Sequence, residues 1–148
     1  MKSICFFLMC YLILLFSSYS NMSFASSNEP KIVTAAQVNG TWRSNSGTFK
    51  VWALGKQRLQ VEFFGIHEYG TEAEPKANTG EGSGLAFIEE NVAIFKPKGT
   101  SGDCRLIMKF LEKKLLVEQR GECGFGRNVT ASGSYKKTDD QKPSFGKL

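Results

Sequence analysis

The residue types that most often carry catalysis are few in this chain and are not arranged for it. His67 is the only histidine, and no serine or cysteine nucleophile is recognisably placed beside it, so it is expected to be a solvated loop residue. Glu89 and Glu90 are adjacent, and adjacent residues of a strand point to opposite faces, which prevents them from flanking one glycosidic bond. We therefore predict no catalytic residues and a protein that is not an enzyme.

The cysteines and glycines do not have the spacing of a metal or phosphate site. Cys104 and Cys123 have no histidine near them in sequence, and two thiolates supply only half of a zinc site. The glycine-rich segment 121–126 is not followed by the start of a helix, as a phosphate-binding loop requires. No metal ligand and no cofactor are predicted, and the segment is expected to be a strained turn built around a disulfide.

The N-terminus predicts export. Lys2 precedes an apolar run from Ile4 to Phe16, and Ser23-Phe24-Ala25 places small residues at both positions that specify signal-peptide cleavage. The run has about 13 residues, fewer than a membrane span needs, so no transmembrane segment is expected in the mature chain. Cleavage after Ala25 predicts a periplasmic or secreted protein. A lipoprotein anchored through Cys10 is the alternative.

Export also predicts the state of the remaining cysteines. Cys5 and Cys10 would leave with the signal peptide, whereas Cys104 and Cys123 would stay. An even pair of cysteines in an exported chain indicates a disulfide, with metal binding as the weaker interpretation.

The charge of the chain does not indicate a nucleic-acid partner. The net charge is +5, and one less once Lys2 is removed. Residues 66–90 hold six glutamates and a single cation, Lys76, while residues 91–148 hold twelve Lys and Arg against six Asp and Glu. No basic stripe alternates with aromatic residues, so we predict no nucleic-acid binding.

Short β-like runs separated by turn residues follow Asn39, and no helical periodicity is sustained. The runs are 40–43, 48–54, 58–64, 85–88, 92–95, 104–110, 114–119 and 129–136. Eight such runs predict an all-β fold, either an antiparallel up-and-down barrel or a sandwich, and the short connections favour the eight-stranded barrel, with one disulfide. A barrel of this size is either filled by side chains or holds one small ligand.

The predicted organisation is a signal peptide over 1–25, a flexible lead-in over 26–38, the barrel over 39–137 and a polar tail over 138–148. The only long connection is a loop at 65–84, and long loops in small domains are commonly functional or disordered. A turn at Glu112-Lys113 predicts that Cys104 faces about Gly121. Cys123 is then two residues out of register, which a glycine bulge would absorb.

Two segments resemble known groups of proteins. Gly40-Thr41-Trp42 at the start of the first strand resembles the Gly-x-Trp signature of lipocalin-type barrels. Residues 104–135 look like the C-terminal part of a group of small exported bacterial proteins. That group shares a cysteine-bearing strand, a Cys-Gly-Phe-Gly-x-Asn-Val turn (here 123–129) and a closing Gly-x-Tyr strand (here 133–135). The resemblance implies a bacterial, disulfide-containing β-domain.

Two further segments are similar to loops of the periplasmic and lipid-anchored inhibitors of c-type lysozyme. Those eight-stranded barrels present a Ser-Gly-x-x-Tyr loop and a Thr-Lys-Gly loop, and the serine and lysine enter the lysozyme cleft. Here Ser83 to Phe87 matches the first loop with Phe in place of Tyr, and Pro97-Lys98-Gly99 matches the second with Pro in place of Thr. Both lie at the ends of the predicted hairpin 85–96.

These observations predict an exported binding protein that uses one end of its barrel. The first hypothesis is inhibition of lysozyme or another cell-wall hydrolase through Ser83, Phe87, Lys98 and the loop 65–84. The second is a carrier of a small apolar ligand inside the barrel. The third is a structural or immunity protein of the cell envelope.

Overall fold

A computed structural model describes residues 32–100 and 102–146. The predicted signal peptide, its cleavage site after Ala25 and the alternative lipid site at Cys10 lie outside the described residues. In the part that is described, no helix is long and apolar enough to cross a membrane.

Eight strands form one closed antiparallel barrel in which each strand pairs with its sequence neighbours and β1 closes on β8. The elements are α1 (Ala35–Val38), β1 (Gly40–Ser44), β2 (Gly47–Gly55), β3 (Arg58–Thr71), β4 (Glu74–Glu89), β5 (Val92–Phe95), β6 (Arg105–Phe110), β7 (Lys114–Arg120) and β8 (Gly133–Asp139). The predicted eight-stranded antiparallel barrel is confirmed.

Side chains fill the interior of the barrel. Burial alternates along the strands, as expected when one face of each strand points inward. The ring centroid of Phe49 lies 4.7 Å from that of Phe63 and 4.9 Å from that of Tyr135. The largest fully buried side chains are Trp42, Tyr135, Phe49, Phe63, Phe95, Phe110, Leu59, Leu106, Met108, Leu115, Val51 and Val61.

Helix α1 closes the lower end of the barrel, where β1 begins and β4 ends. Val38 is buried, and its carbonyl oxygen accepts a hydrogen bond from the indole Nε1 of Trp42 at 3.0 Å. The backbone N–H of Val33 donates to the carbonyl of Glu90 at 3.2 Å. The described part of the predicted lead-in, residues 32–38, is therefore attached to the barrel.

Residues 121–132, the upper turn, close the opposite end. Phe125 is buried there, 4.9 Å from the ring of Phe63. The predicted disulfide is confirmed, with the Sγ atoms of Cys104 and Cys123 2.07 Å apart. The strand pairing ends one residue before Cys104, with Arg105 opposite Arg120, which is the register that the turn at Glu112-Lys113 predicts.

The predicted loop 65–84 is wrong, because β3 and β4 continue through it as one hairpin. Strand pairing extends to Thr71 opposite Glu74. The pairing of β3 with β2 ends at Gly65, which lies opposite Gly47, so residues 66–79 form a two-stranded hairpin arm that projects about 20 Å at the rise of a β-strand. Both faces of the arm are mostly solvated, and its sequence therefore lacks the apolar alternation that marks a strand.

The predicted polar tail packs along the outside of β2 and β3. Strand β8 begins later than predicted, at Gly133, and continues to Asp139. Residues 140–146, the C-terminal segment, then follow the outer wall upward. The ammonium of Lys50 donates to the carbonyl of Ser144 at 2.8 Å, and the N–H of Gly146 donates to Glu62 Oε2 at 3.3 Å.

Removing the disulfide should destabilise the barrel without changing its topology. Its cysteines are 19 residues apart, and a closed loop of that length is worth about 3 kcal/mol through the entropy of the unfolded chain. We expect the double variant Cys104→Ala/Cys123→Ala to lose about that much free energy of unfolding in urea titrations. Reductant should lower the urea midpoint of the wild type and leave that of the double variant unchanged; equal midpoints for both proteins would contradict the prediction.

Candidate functional site

The structure places Ser83 beside Lys98 at the upper end of the barrel. Strands β4 and β5 form the predicted hairpin, with Ala86 opposite Phe95. Ser83 lies three residues before Ala86, and Lys98 lies three residues after Phe95. The backbone N–H of Lys98 donates to the carbonyl of Ser83 at 2.8 Å. The two predicted site residues are therefore neighbours in space.

The turn that carries Lys98 is held rigidly. The hydroxyl of Thr100 donates to the carbonyl of Pro97 at 2.7 Å, and Gly99 has a φ of 75° that only glycine adopts without strain. Pro97 is buried against β4, while the side chain of Lys98 is exposed. The ammonium of Lys98 is thus presented to solvent from a fixed backbone.

Gly84 has a backbone conformation that favours glycine, because its φ of 152° is one that other residues rarely adopt. Space is not the reason, since a Cβ atom on Gly84 would lie 3.5 Å from the Cγ of Lys98 and 3.5 Å from the ring of Phe95, which is ordinary van der Waals contact. The glycine of the Ser-Gly pair is thus explained by its backbone angle.

An open cleft of about 220 Å³ surrounds this pair, and it carries more negative than positive charge. Its lining residues are Glu62, Glu81, Gly82, Ser83, Lys98, Phe145 and Gly146. The carboxylate of Glu62 is already engaged by Lys50, whose ammonium lies 3.4 Å away. Glu81 forms no ion pair with any other residue of 32–100 or 102–146. The cleft therefore offers Glu81 to a cation, and Lys98 and the Ser83 hydroxyl to a carboxylate.

Phe87 does not belong to this cleft. It lies four residues from Ser83 along β4, a distance of about 13 Å. Its side chain is 63% exposed on the outer wall beside Ile94. The predicted set of Ser83, Phe87 and Lys98 is therefore divided between the cleft and a separate apolar patch nearer the lower end.

A second concave site, which the sequence does not predict, lies where the hairpin arm overhangs the upper turn. It encloses about 410 Å³ and is lined by His67, Tyr69, Asn78, Arg127 and Asn128. His67 and Tyr69 lie on the same face of β3. Their ring planes are within 17° of parallel, and the ring centroids are 6.4 Å apart. Asn78 is opposite His67 on β4, and its Nδ2 donates to the carbonyl of Arg127 at 2.8 Å.

The base of the arm touches the upper turn directly. A Cβ atom on Gly80 would collide with the carbonyl oxygen of Phe125, and one on Gly82 would lie 3.0 Å from the ring of Phe125. Glycines at these positions allow the backbone of the turn to lie against β4. The only sequence signal for this site is that His67 and Tyr69 are two residues apart. This spacing places the two rings on one face only if β3 continues past residue 64.

No cluster of three or more His, Cys, Asp or Glu side chains suited to a metal ion exists among the described residues. Comparison of the chain with protein-family models, with curated proteins and with solved structures finds no match.

Replacing Gly80 by alanine should detach the upper turn from the arm. The added methyl group must displace backbone rather than a flexible side chain, and overpacking of this kind costs about 1–3 kcal/mol. We expect Gly80→Ala to lower the free energy of unfolding by that amount in urea titrations. Gly146→Ala is the matched control, because its Cβ would meet only the flexible end of Glu62. A Gly80→Ala variant as stable as this control would disprove the close approach.

Proposed function

We propose that this chain is a non-enzymatic binding protein that inhibits a lysozyme-type hydrolase by inserting the corner formed by Lys98 and Ser83 into the active-site cleft of the enzyme. The observation that carries the proposal is the 2.8 Å hydrogen bond from the N–H of Lys98 to the carbonyl of Ser83. It brings together the two residues whose types match the inserted pair of the lysozyme inhibitors.

The chemistry of the target explains why these two groups suffice. Lysozyme acts through two carboxyl groups that flank the scissile bond. An ammonium and a hydroxyl placed between them form charge-assisted hydrogen bonds with the carboxylate that carries the negative charge and with its neighbour. Because the backbone of Lys98 is fixed by Ser83 and by its own turn, little backbone entropy is lost when the pair is buried, and the entropic cost is that of ordering the lysine side chain.

Acidic groups at the same end of the barrel complement a basic target. The chain as a whole is positive, which alone would repel a basic hydrolase. Glu81 borders the cleft, and Glu68, Glu72 and Glu74 lie on the hairpin arm at the upper end. This local negative charge would steer a basic enzyme towards Lys98 and away from the lower end.

The packed interior argues against the carrier hypothesis. Its aromatic and aliphatic side chains, including Trp42, Phe49 and Phe110, are completely buried against one another. Helix α1 and the upper turn close the two ends. A small apolar ligand would have to displace core side chains in order to enter.

Truncating Lys98 should abolish inhibition while leaving the fold intact. We expect residues 26–148 to slow the lysis of bacterial cell walls by hen lysozyme, and Lys98→Ala to raise the inhibition constant at least thirtyfold. Truncating one partner of a buried charge pair costs about 2–5 kcal/mol, and a thirtyfold change corresponds to the lower end of that range. Ser83→Ala should have a smaller effect in the same direction, because it removes a neutral hydrogen-bonding group.

Lys113→Ala is the matched control, since it removes the same exposed charge in the turn between β6 and β7 at the lower end. It should inhibit as well as the wild type. Inhibition that is equally strong in Lys98→Ala would overturn the insertion mechanism. No inhibition by micromolar wild type would overturn the proposed function and leave a structural or immunity role as the remaining hypothesis.

A further inference from the structure

We propose that the concave face of the hairpin arm, together with Arg127 and Asn128 of the upper turn, is a binding site for a saccharide that carries one carboxylate. This arm site is separate from the cleft at Lys98. Ser83 is on the outer face of β4, and Asn78 is five residues away, about 16 Å along the strand, on the face that continues the inside of the barrel.

The arm site contains an exposed aromatic surface. His67 and Tyr69 project from the same face of β3 with nearly parallel rings. Tyr69 is 48% exposed although the arm has a second, opposite face on which to place polar residues. Ring faces are apolar with a polar edge, and they suit a ligand that has an apolar face of its own.

The polar groups around these rings are unoccupied. Within residues 32–100 and 102–146, the guanidinium of Arg127 and the side-chain amide of Asn128 form no hydrogen bond or ion pair. Asn78 donates its Nδ2 to the carbonyl of Arg127 at 2.8 Å, which leaves its Oδ1 free to accept. The site thus offers two amides and a planar cation beside two rings.

The charge of this face favours a single carboxylate over a polyanion. Lys76 shares the face but lies 2.9 Å from the carboxylate of Glu74, so Arg127 is the cation left for a ligand. Glu68 points to the opposite face, because it alternates with His67 and Tyr69 along β3. Nucleic acids are bound through several cations that neutralise successive phosphates, and this face does not supply them.

A saccharide is the ligand class that uses all of these groups together. A sugar ring has a face of C–H groups that packs on aromatic rings, and its hydroxyls both donate to and accept from side-chain amides. A carboxylate on the sugar would accept two parallel hydrogen bonds from one edge of the Arg127 guanidinium. The volume of about 410 Å³ is within the range of small-molecule sites, and the site is open at the barrel mouth, where such sites commonly occur.

The backbone that carries the polar groups is fixed before any ligand binds. Asn128 has a φ of 64°, which is uncommon for a residue with a side chain. The N–H of Val129 donates to the carbonyl of Gly126 at 3.2 Å and closes the turn around Arg127 and Asn128. The hydrogen bond from Asn78 then joins this turn to the arm, so both halves of the site keep their relative position.

The test compares two trisaccharides that differ by one acidic sugar. We expect glucuronosyl-xylobiose, which has one carboxylate, to shift amide NMR signals of residues 67–69 and 126–128 saturably in protein expressed from the full-length chain. Neutral xylotriose should bind about tenfold or more weakly, the difference that a charge-assisted hydrogen bond makes. Arg127→Ala should reduce the affinity for the acidic sugar to that for xylotriose, and Tyr69→Ala should weaken the binding of both.

Arg105→Ala and Phe87→Ala are the matched controls, since both residues are exposed on the outer wall and both variants should bind like the wild type. The proposal is overturned if the acidic sugar gives no saturable shifts at 10 mM, if both trisaccharides bind equally, or if a thymidine trinucleotide binds more tightly than either. Arg127→Ala should inhibit lysozyme as the wild type does, so failure here and failure of the proposed function can be told apart.

Discussion

Both candidate sites are built against the glycine face of strand β4 at the barrel mouth. Three glycines, at positions 80, 82 and 84, form the inward face of β4 at the barrel mouth. Phe125 packs on the first two, and Pro97 and the stem of Lys98 pack on the second and third. A side chain at position 80 or 82 would press on Phe125 or Pro97, push the turns outward and separate the residues they carry. The lack of side chains at these glycines therefore determines the shape of both sites as much as the residues that line them do.

These glycines also explain which parts of the fold could be predicted from sequence. The strands of the barrel alternate apolar and polar residues, because one face is packed and the other is solvated, and that pattern correctly indicated eight strands and the hairpin 85–96. From Gly65 to Gly84 the inward positions near the barrel are glycines, and most outward ones except Ile66 are polar or small. With no alternating apolar residues to mark a face, the segment has the composition of a loop although it is extended and paired.

The same distinction applies to the candidate sites. Ser83 and Lys98 were predictable as neighbours because one short hairpin separates them, and hairpin pairing relates sequence distance directly to spatial distance. His67 and Arg127 are sixty residues apart, and nothing local to either indicates the other. They meet because the disulfide and Phe125 hold the upper turn over the mouth while β3 continues beyond it. Long-range packing, which no short motif encodes, creates that site.

The hairpin arm has a consequence for how such a chain can vary. Its two strands pair only with each other beyond Gly65, so they can be lengthened or shortened at the tip without altering any contact of the barrel. Adding or deleting two residues on each strand moves the tip by about 7 Å and keeps the residues beyond the change on their own faces, whereas a change of one residue on each strand moves those residues to the opposite faces. The reach of the arm is therefore adjustable in even steps, independently of the stability of the domain that carries it.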